Sequence, residues 1–151
     1  MRLITITMAT VIDSTAQRVW RALTEPAELV SWDEQMLAPA DDLDRYPFRG
    51  QHARWRYRLG SVQLVMHDRP LEIDPPHRLR SKLNIGSLSY ERTFTLQAES
   101  ANQTRLSMRL IASNSIPLVG ETIDRFDVRE MATAQIDTTL RSVQKWCEEN
   151  P

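Results

Sequence analysis

The chain predicts an α+β domain: one strand, two short helices, an antiparallel meander and a long C-terminal helix. Three observations carry this reading. From Gly50 the apolar residues recur at every second position. Two Gly-Ser pairs divide that run into hairpins whose apolar faces coincide. From Pro117 the apolar spacing becomes that of a helix. At 151 residues, 41% hydrophobic and 26% charged, the chain is long enough to bury a substantial core, and residues 1–151 read as one domain.

Residues 3–12 are rich in Ile, Val and Thr and read as the first strand. Arg2 and the uncharged run after it resemble a leader only superficially, because Thr5, Thr7 and Thr10 interrupt the run and no small-residue cleavage site follows. Ser14 with Gln17 forms a capping box, and Ala16, Val19, Trp20 and Leu23 mark the buried face of a helix. Glu25-Pro26 ends that helix and starts a second one reaching Trp32. Residues 33–49 hold five acidic groups and two prolines, and read as either a weak edge strand or a mobile loop.

Gly60-Ser61 pairs Leu59 with Val62, Tyr57 with Leu64 and Trp55 with Met66, which places Asp68 beside Ala53 on the inner face. After Pro70 the parity flips, with Leu71 and Ile73 inward, so a bulge is expected near 69–70. Leu79, Ser81, Leu83 and Ile85 face inward on the next strand. Gly86-Ser87 then pairs Leu83 with Tyr90 and Ser81 with Arg92. A last strand over 104–112 turns Leu106, Met108 and Leu110 inward. The helix from Pro117 to Glu148 carries a stripe of Val119, Phe126, Ala132, Ile136, Leu140, Val143 and Cys147, with Arg129 and Thr133 on the same face.

Net charge is −1, so no global field recruits nucleic acid or an anionic membrane. The outer sheet face is basic (Arg54, Arg56, Arg58, Arg78, Arg80, Lys82, Arg105, Arg109), yet it lacks exposed aromatics for base stacking and reads as a solvated face. The longest uncharged run, Leu110 to Gly120, is shorter than the roughly 20 residues of a membrane span. A single cysteine excludes an intrachain disulfide and fits a reducing, cytoplasmic compartment. His52 and His67 take the outer register and His77 a turn, so no metal site is expected, and no motif calls for a cofactor. Cys147 ends a core stripe and reads as an inert thiol.

Four stretches carry a family resemblance. Val19-Trp20-Arg21-Ala22-Leu23-Thr24-Glu25-Pro26 resembles a "VW-x-A-L-T-D-P-E" motif, with Glu25 in place of the usual Asp. Leu71 to Leu79 resembles the bend "V-x-E-x-D-P-P-x-R-L". Thr104-Arg105-Leu106 resembles a strand-opening "T-R-L", and Leu140 to Glu148 a closing "L-x-x-L-K-x-x-x-E" helix. Together they are similar to the START-like, or SRPBCC, superfamily of polyketide cyclases/dehydratases, with N-terminal similarity to its chaperone-activator branch. That resemblance implies a helix-grip fold: about seven antiparallel strands curled around the C-terminal helix, with a ligand cavity between them.

Arg92 then poses a question, because it interrupts an apolar stripe of Leu88, Tyr90, Phe94 and Leu96 that would face this cavity. Burying an unpaired charge costs several kcal/mol, so Arg92 needs a partner. Asp68, about 10 Å away with Ser81 between, suits a direct contact or a water bridge. Asp127 or Glu130 on the C-terminal helix are alternatives, and so is the acidic or carbonyl head of a ligand. Trp55, Tyr57, Asp68, Ser81, Tyr90, Arg92, Phe94, Met108 and Arg129 are therefore the candidate ligand-binding residues, with packing alone as the competing role for the apolar ones. The expected function is binding of a small hydrophobic molecule. The alternatives are a cyclase/dehydratase enzyme using Asp68, Arg92 and Tyr90, whose catalytic residues the sequence does not fix, and a ribosome-, RNA- or protein-interaction module.

Overall fold

The computed structural model describes residues 3–113, 116–118, 121–123 and 125–151, with side-chain surroundings given outside 113–128. Its elements are β1 (Leu3–Ile12), α1 (Ala16–Thr24), α2 (Pro26–Trp32), β2 (Met36–Pro39), β3 (Ala53–Leu59), β4 (Val62–Asp74), β5 (Arg78–Ile85), β6 (Leu88–Ser100), β7 (Gln103–Ser113), β8 (Ile116–Leu118), β9 (Glu121–Ile123) and α3 (Arg125–Glu149). Seven strands form one antiparallel sheet in the order β1-β7-β6-β5-β4-β3-β2, and β8 and β9 pair separately. The fold is the helix-grip α+β arrangement.

Both hairpins keep the register that the apolar faces dictate. Leu59 pairs with Val62, Tyr57 with Leu64, Trp55 with Met66 and Ala53 with Asp68. Across the second hairpin Leu83 pairs with Tyr90 and Ser81 with Arg92. Gly60 and Gly86 sit at φ 62° and 57°, the left-handed turn conformation that glycine adopts without penalty. The bulge falls one residue later than the parity suggests. Pro70 is still buried and faces Ser81, Glu72 pairs with Arg80, and Leu71 is the unmatched residue. Leu71 is accordingly only half-buried, while Ile73 returns to the inner register opposite Leu79. Pro70 lacks an N–H, which makes this the natural place for the ladder to slip.

Three boundaries differ from the sequence reading. Thr15, not Ser14, caps α1: its hydroxyl accepts from the Arg18 N–H at 3.1 Å. The segment 33–49 contains the short edge strand β2, followed by a loop that buries Leu43 and Tyr46 in the core. The C-terminal helix begins at Arg125 rather than Pro117, because 116–118 and 121–123 pair as strands. Val119 and the side chains of Phe126 and Asp127 lie outside the described residues.

The C-terminal half of α3 is fixed by both packing and polar bonds. Ile136, Leu140, Val143 and Cys147 are buried in the core. Trp146 donates its indole N–H to Glu28 at 2.7 Å, and Glu28 also pairs with Arg18 at 2.7 Å. Gln144 donates to the Val11 carbonyl of β1 at 2.9 Å. No helix among the described residues is long and apolar enough to cross a membrane. Thr15→Ala should lower unfolding free energy by about 1 kcal/mol, the usual worth of an N-cap hydroxyl. Ser14→Ala should change it little, and urea denaturation of both variants distinguishes the two caps.

Candidate functional site

The inner face of a sheet in this register is apolar except where the sequence inserts a polar side chain, and Asp68, Ser81 and Arg92 are three such insertions. Asp68 is 1% exposed and Ser81 0% exposed. The β5–β6 ladder sets Ser81 opposite Arg92, and the β4–β5 ladder sets Asp68 opposite Leu83, so the three occupy neighbouring positions.

Asp68 does not form the expected ion pair with Arg92. Its Oδ2 instead accepts from the Tyr46 hydroxyl at 2.6 Å and from the Trp55 indole N–H at 3.2 Å. The two aromatic rings meet edge to face, with centroids 5.3 Å apart and planes at 89°. Among the described residues Arg92 closes no ion pair with a carboxylate. Its guanidinium carbon lies 4.7 Å from the Phe94 ring centroid, stacked on the aromatic face. Three buried polar atoms make no hydrogen bond here: Asp68 Oδ1, Ser81 Oγ and Arg92 Nε.

The charges nevertheless act on one another. Burial pushes the Asp68 carboxyl above the ordinary aspartate range, with the Arg92 charge and the Tyr46 and Trp55 hydrogen bonds pulling it back. Burial also raises Asp33, against a hydrogen bond from the Gln35 N–H and the Arg92 charge. Arg92 therefore lies within the field of two carboxylates. Burial, and next the Asp68 charge, push the Tyr46 hydroxyl well above its usual range. Burial likewise raises Tyr57, and it pushes Tyr90 up to about 12, so both phenols stay protonated.

Three hollows run beneath α3 and share lining residues. An apolar one of about 110 Å³ lies between Leu59, Ile85, Leu88, Leu110, Ala112 and Met131, with Tyr57 and Tyr90 at its inner end. A narrow polar one of about 20 Å³ follows, lined by Tyr57, Tyr90, Arg92, Met108 and Asp33. An outer one of about 280 Å³ continues from Trp32 and Asp33 past Gln35 to Ser142. Gln135 borders all three, so they lie side by side in the crevice beneath α3, and Arg92 lines the narrow one, the waist.

A model of the polyketide cyclase/dehydrase and lipid transport family matches residues 4–148. The chain belongs to that family. Solved structures share the fold of this family member at low identity. A START superfamily protein from Mycobacterium smegmatis superposes with a TM-score of 0.80 at 11% identity, over 97% of this chain and 99% of that one. A Mesorhizobium loti protein gives 0.73 at 19%, over 98% and 99%. A protein from the dynemicin biosynthetic locus gives 0.70 at 14%, over 95% of this chain and 47% of the other. Comparison with curated proteins finds no match.

The structure brings Tyr57, Tyr90, Arg92 and Met108 into the crevice lining. Trp55, Asp68 and Ser81 sit buried in the sheet's inner face, outside that lining, and Phe94 packs under Arg92. Arg129 and Thr133 are exposed and border a separate open groove with Met8 and Asp137, while Ala132 is half-buried and Ile136, Leu140 and Val143 are buried. Glu130 is also exposed, so it does not meet Arg92. Burial pushes the Cys147 thiol up to about 11, which suits an inert core residue.

On the outer face, Arg54 pairs with Asp41, Arg78 and Arg80 with Glu72, Arg80 also with Glu91, and Arg105 with Glu99. His52 and His67 meet there at 2.7 Å. No cluster of three metal-capable side chains occurs among the described residues.

Two residues escaped the sequence reading, Tyr46 and Asp33. The faint signal for Tyr46 was its spacing of three from Leu43 in an otherwise polar segment; Asp33 follows the buried Trp32 and gave none. Tyr46→Phe leaves a buried carboxylate one hydrogen bond short and should cost about 1.5–3 kcal/mol in urea unfolding. Asp68 is raised in the folded state, so the stability its proton lends below the unfolded pKa is lost as pH rises through the raised value. Asp68→Asn removes that loss. Its stability relative to wild type should therefore improve from pH 4 to pH 7, measured as urea midpoints.

Proposed function

We propose that this family member binds a small, largely apolar molecule in the crevice between sheet and α3, its tail in the apolar hollow and its polar end at Arg92. The observation that carries the reading is the juxtaposition at the waist. A guanidinium with an unengaged, buried Nε borders the same narrow space as Tyr57 and Tyr90, which open directly onto an apolar chamber. Arg92 closes no ion pair with a carboxylate among the described residues, and a ligand oxygen in the hollow would give its guanidinium a partner. Burial of an apolar tail against Leu59, Leu88, Leu110 and Met131 would supply most of the affinity.

Ligand contacts are assigned accordingly to Tyr57, Tyr90, Arg92 and Met108. Trp55, Asp68, Ser81 and Phe94 support Arg92 from behind. Arg129 takes no part. An enzyme of the cyclase/dehydratase kind is the alternative reading; Asp68 and Tyr46 lie outside the lining, so its proton-transfer groups would be Asp33 and Tyr90, which line it.

The test is titration with Nile red, an uncharged apolar dye bearing a carbonyl. Wild type should give a saturable, one-to-one fluorescence increase. Ala132→Trp fills the apolar hollow from α3 and should weaken binding about tenfold or more while leaving the urea midpoint close to wild type. Equal affinity in the two proteins would place the dye elsewhere and contradict the proposal.

A further inference from the structure

The charge balance at the waist bears on what kind of head group the crevice accepts. Arg92 is the only cationic side chain lining any of the three neighbouring hollows among the described residues. Its charge already faces two acids. Asp33 shares the crevice lining with it, and Asp68 lies behind it, both close enough to feel its field. Glu34 adds a further negative charge at the outer hollow. From α3 the facing side chains are Gln135, Thr138, Thr139 and Ser142, none of them charged.

With both aspartates ionised the group carries a net charge of −1, with one protonated it is neutral, and only with both protonated does it reach +1. As long as Asp33 or Asp68 is ionised, the waist holds no surplus positive charge to offset an incoming anion. An anion would also approach Asp33 directly, at a partly desolvated position where repulsion between like charges is weakly screened. Arg92 Nε nonetheless remains a buried donor with no acceptor from the protein. An unmet donor in a charge-balanced setting matches an acceptor that brings no charge.

Resting on the crevice as a ligand site, we propose that Arg92 receives an uncharged carbonyl oxygen (ketone, ester or amide) and that Asp33 acts as the specificity residue that turns anionic head groups away. The arrangement differs from an ordinary carboxylate clamp, in which arginine stands unopposed and binds the anion bidentately. Asp33 also borders both the polar waist and the outer hollow, so any head group entering from that side passes it first.

Two probes with the same alkyl chain test this: a methyl ketone, and a sulfonate that stays ionised at every working pH. Affinities are measured at pH 7.5 by displacement of Nile red from wild type and Asp33→Asn. The substitution keeps an Oδ1 acceptor for the Gln35 N–H, and a urea midpoint near that of wild type verifies the fold. Wild type should prefer the ketone by about tenfold or more, and Asp33→Asn should strengthen sulfonate binding about tenfold while changing ketone affinity by no more than about twofold. Arg92→Met should lose ketone affinity, which separates this site from unspecific uptake in the apolar hollow. A wild type that binds sulfonate as tightly as ketone would overturn the proposal, and so would an Asp33→Asn variant with an unchanged ratio. Binding of neither probe, with Nile red also unbound, would overturn the ligand-site reading itself and this inference with it.

Discussion

A carboxylate in the middle of a sheet's apolar face is the constraint around which the rest of this structure is arranged. Asp68 is nearly inaccessible to water, so its polar atoms must be met from within the protein or by the proton it retains. Trp55 meets it from the paired strand β3, and Tyr46 reaches it from a loop otherwise rich in acids and prolines. That second bond ties the 40–52 loop to the sheet and gives the loop a reason to be ordered. Arg92 completes the group electrostatically, although it spends its stacking surface on Phe94 rather than closing an ion pair.

The polar group also shapes the space beneath α3. The C-terminal half of α3 is fixed to α1, α2 and β1 by Trp146, Gln144 and its buried apolar stripe. The hollows that Gln135 borders lie along the helix from Met131 to Ser142, on a side not occupied by that stripe. The narrow one holds Arg92 and Asp33, groups that cannot be packed like hydrocarbon.

Much of the fold was legible in the sequence because strand register is over-determined. Two glycine turns and two coincident apolar faces allow a single pairing within each hairpin, so Asp68 could be set opposite Ala53 and Ser81 opposite Arg92 from spacing alone. The site was less legible, for a physical reason. Tyr46 contacts Asp68 across 22 positions from a segment with no periodic pattern, and only the folded loop reveals it. Asp33 becomes a neighbour of Arg92 through the corner after α2, which no local rule specifies. Arg129 was misplaced because helical period alone puts it, three residues before Ala132, on the buried stripe; it is exposed in the first turns of a helix that starts at Arg125 rather than Pro117.

The central claim is that the buried Asp68 carboxyl and the Arg92 guanidinium share one electrostatic site without forming a closed pair. The most direct measurement is the pH titration of the Asp68 side-chain carboxyl carbon by NMR, in wild type and in Arg92→Met. The account predicts a midpoint above the ordinary aspartate value of 3.8 in wild type, moving higher still when the cation is removed. A midpoint at or below 3.8, or one unmoved by Arg92→Met, would contradict it.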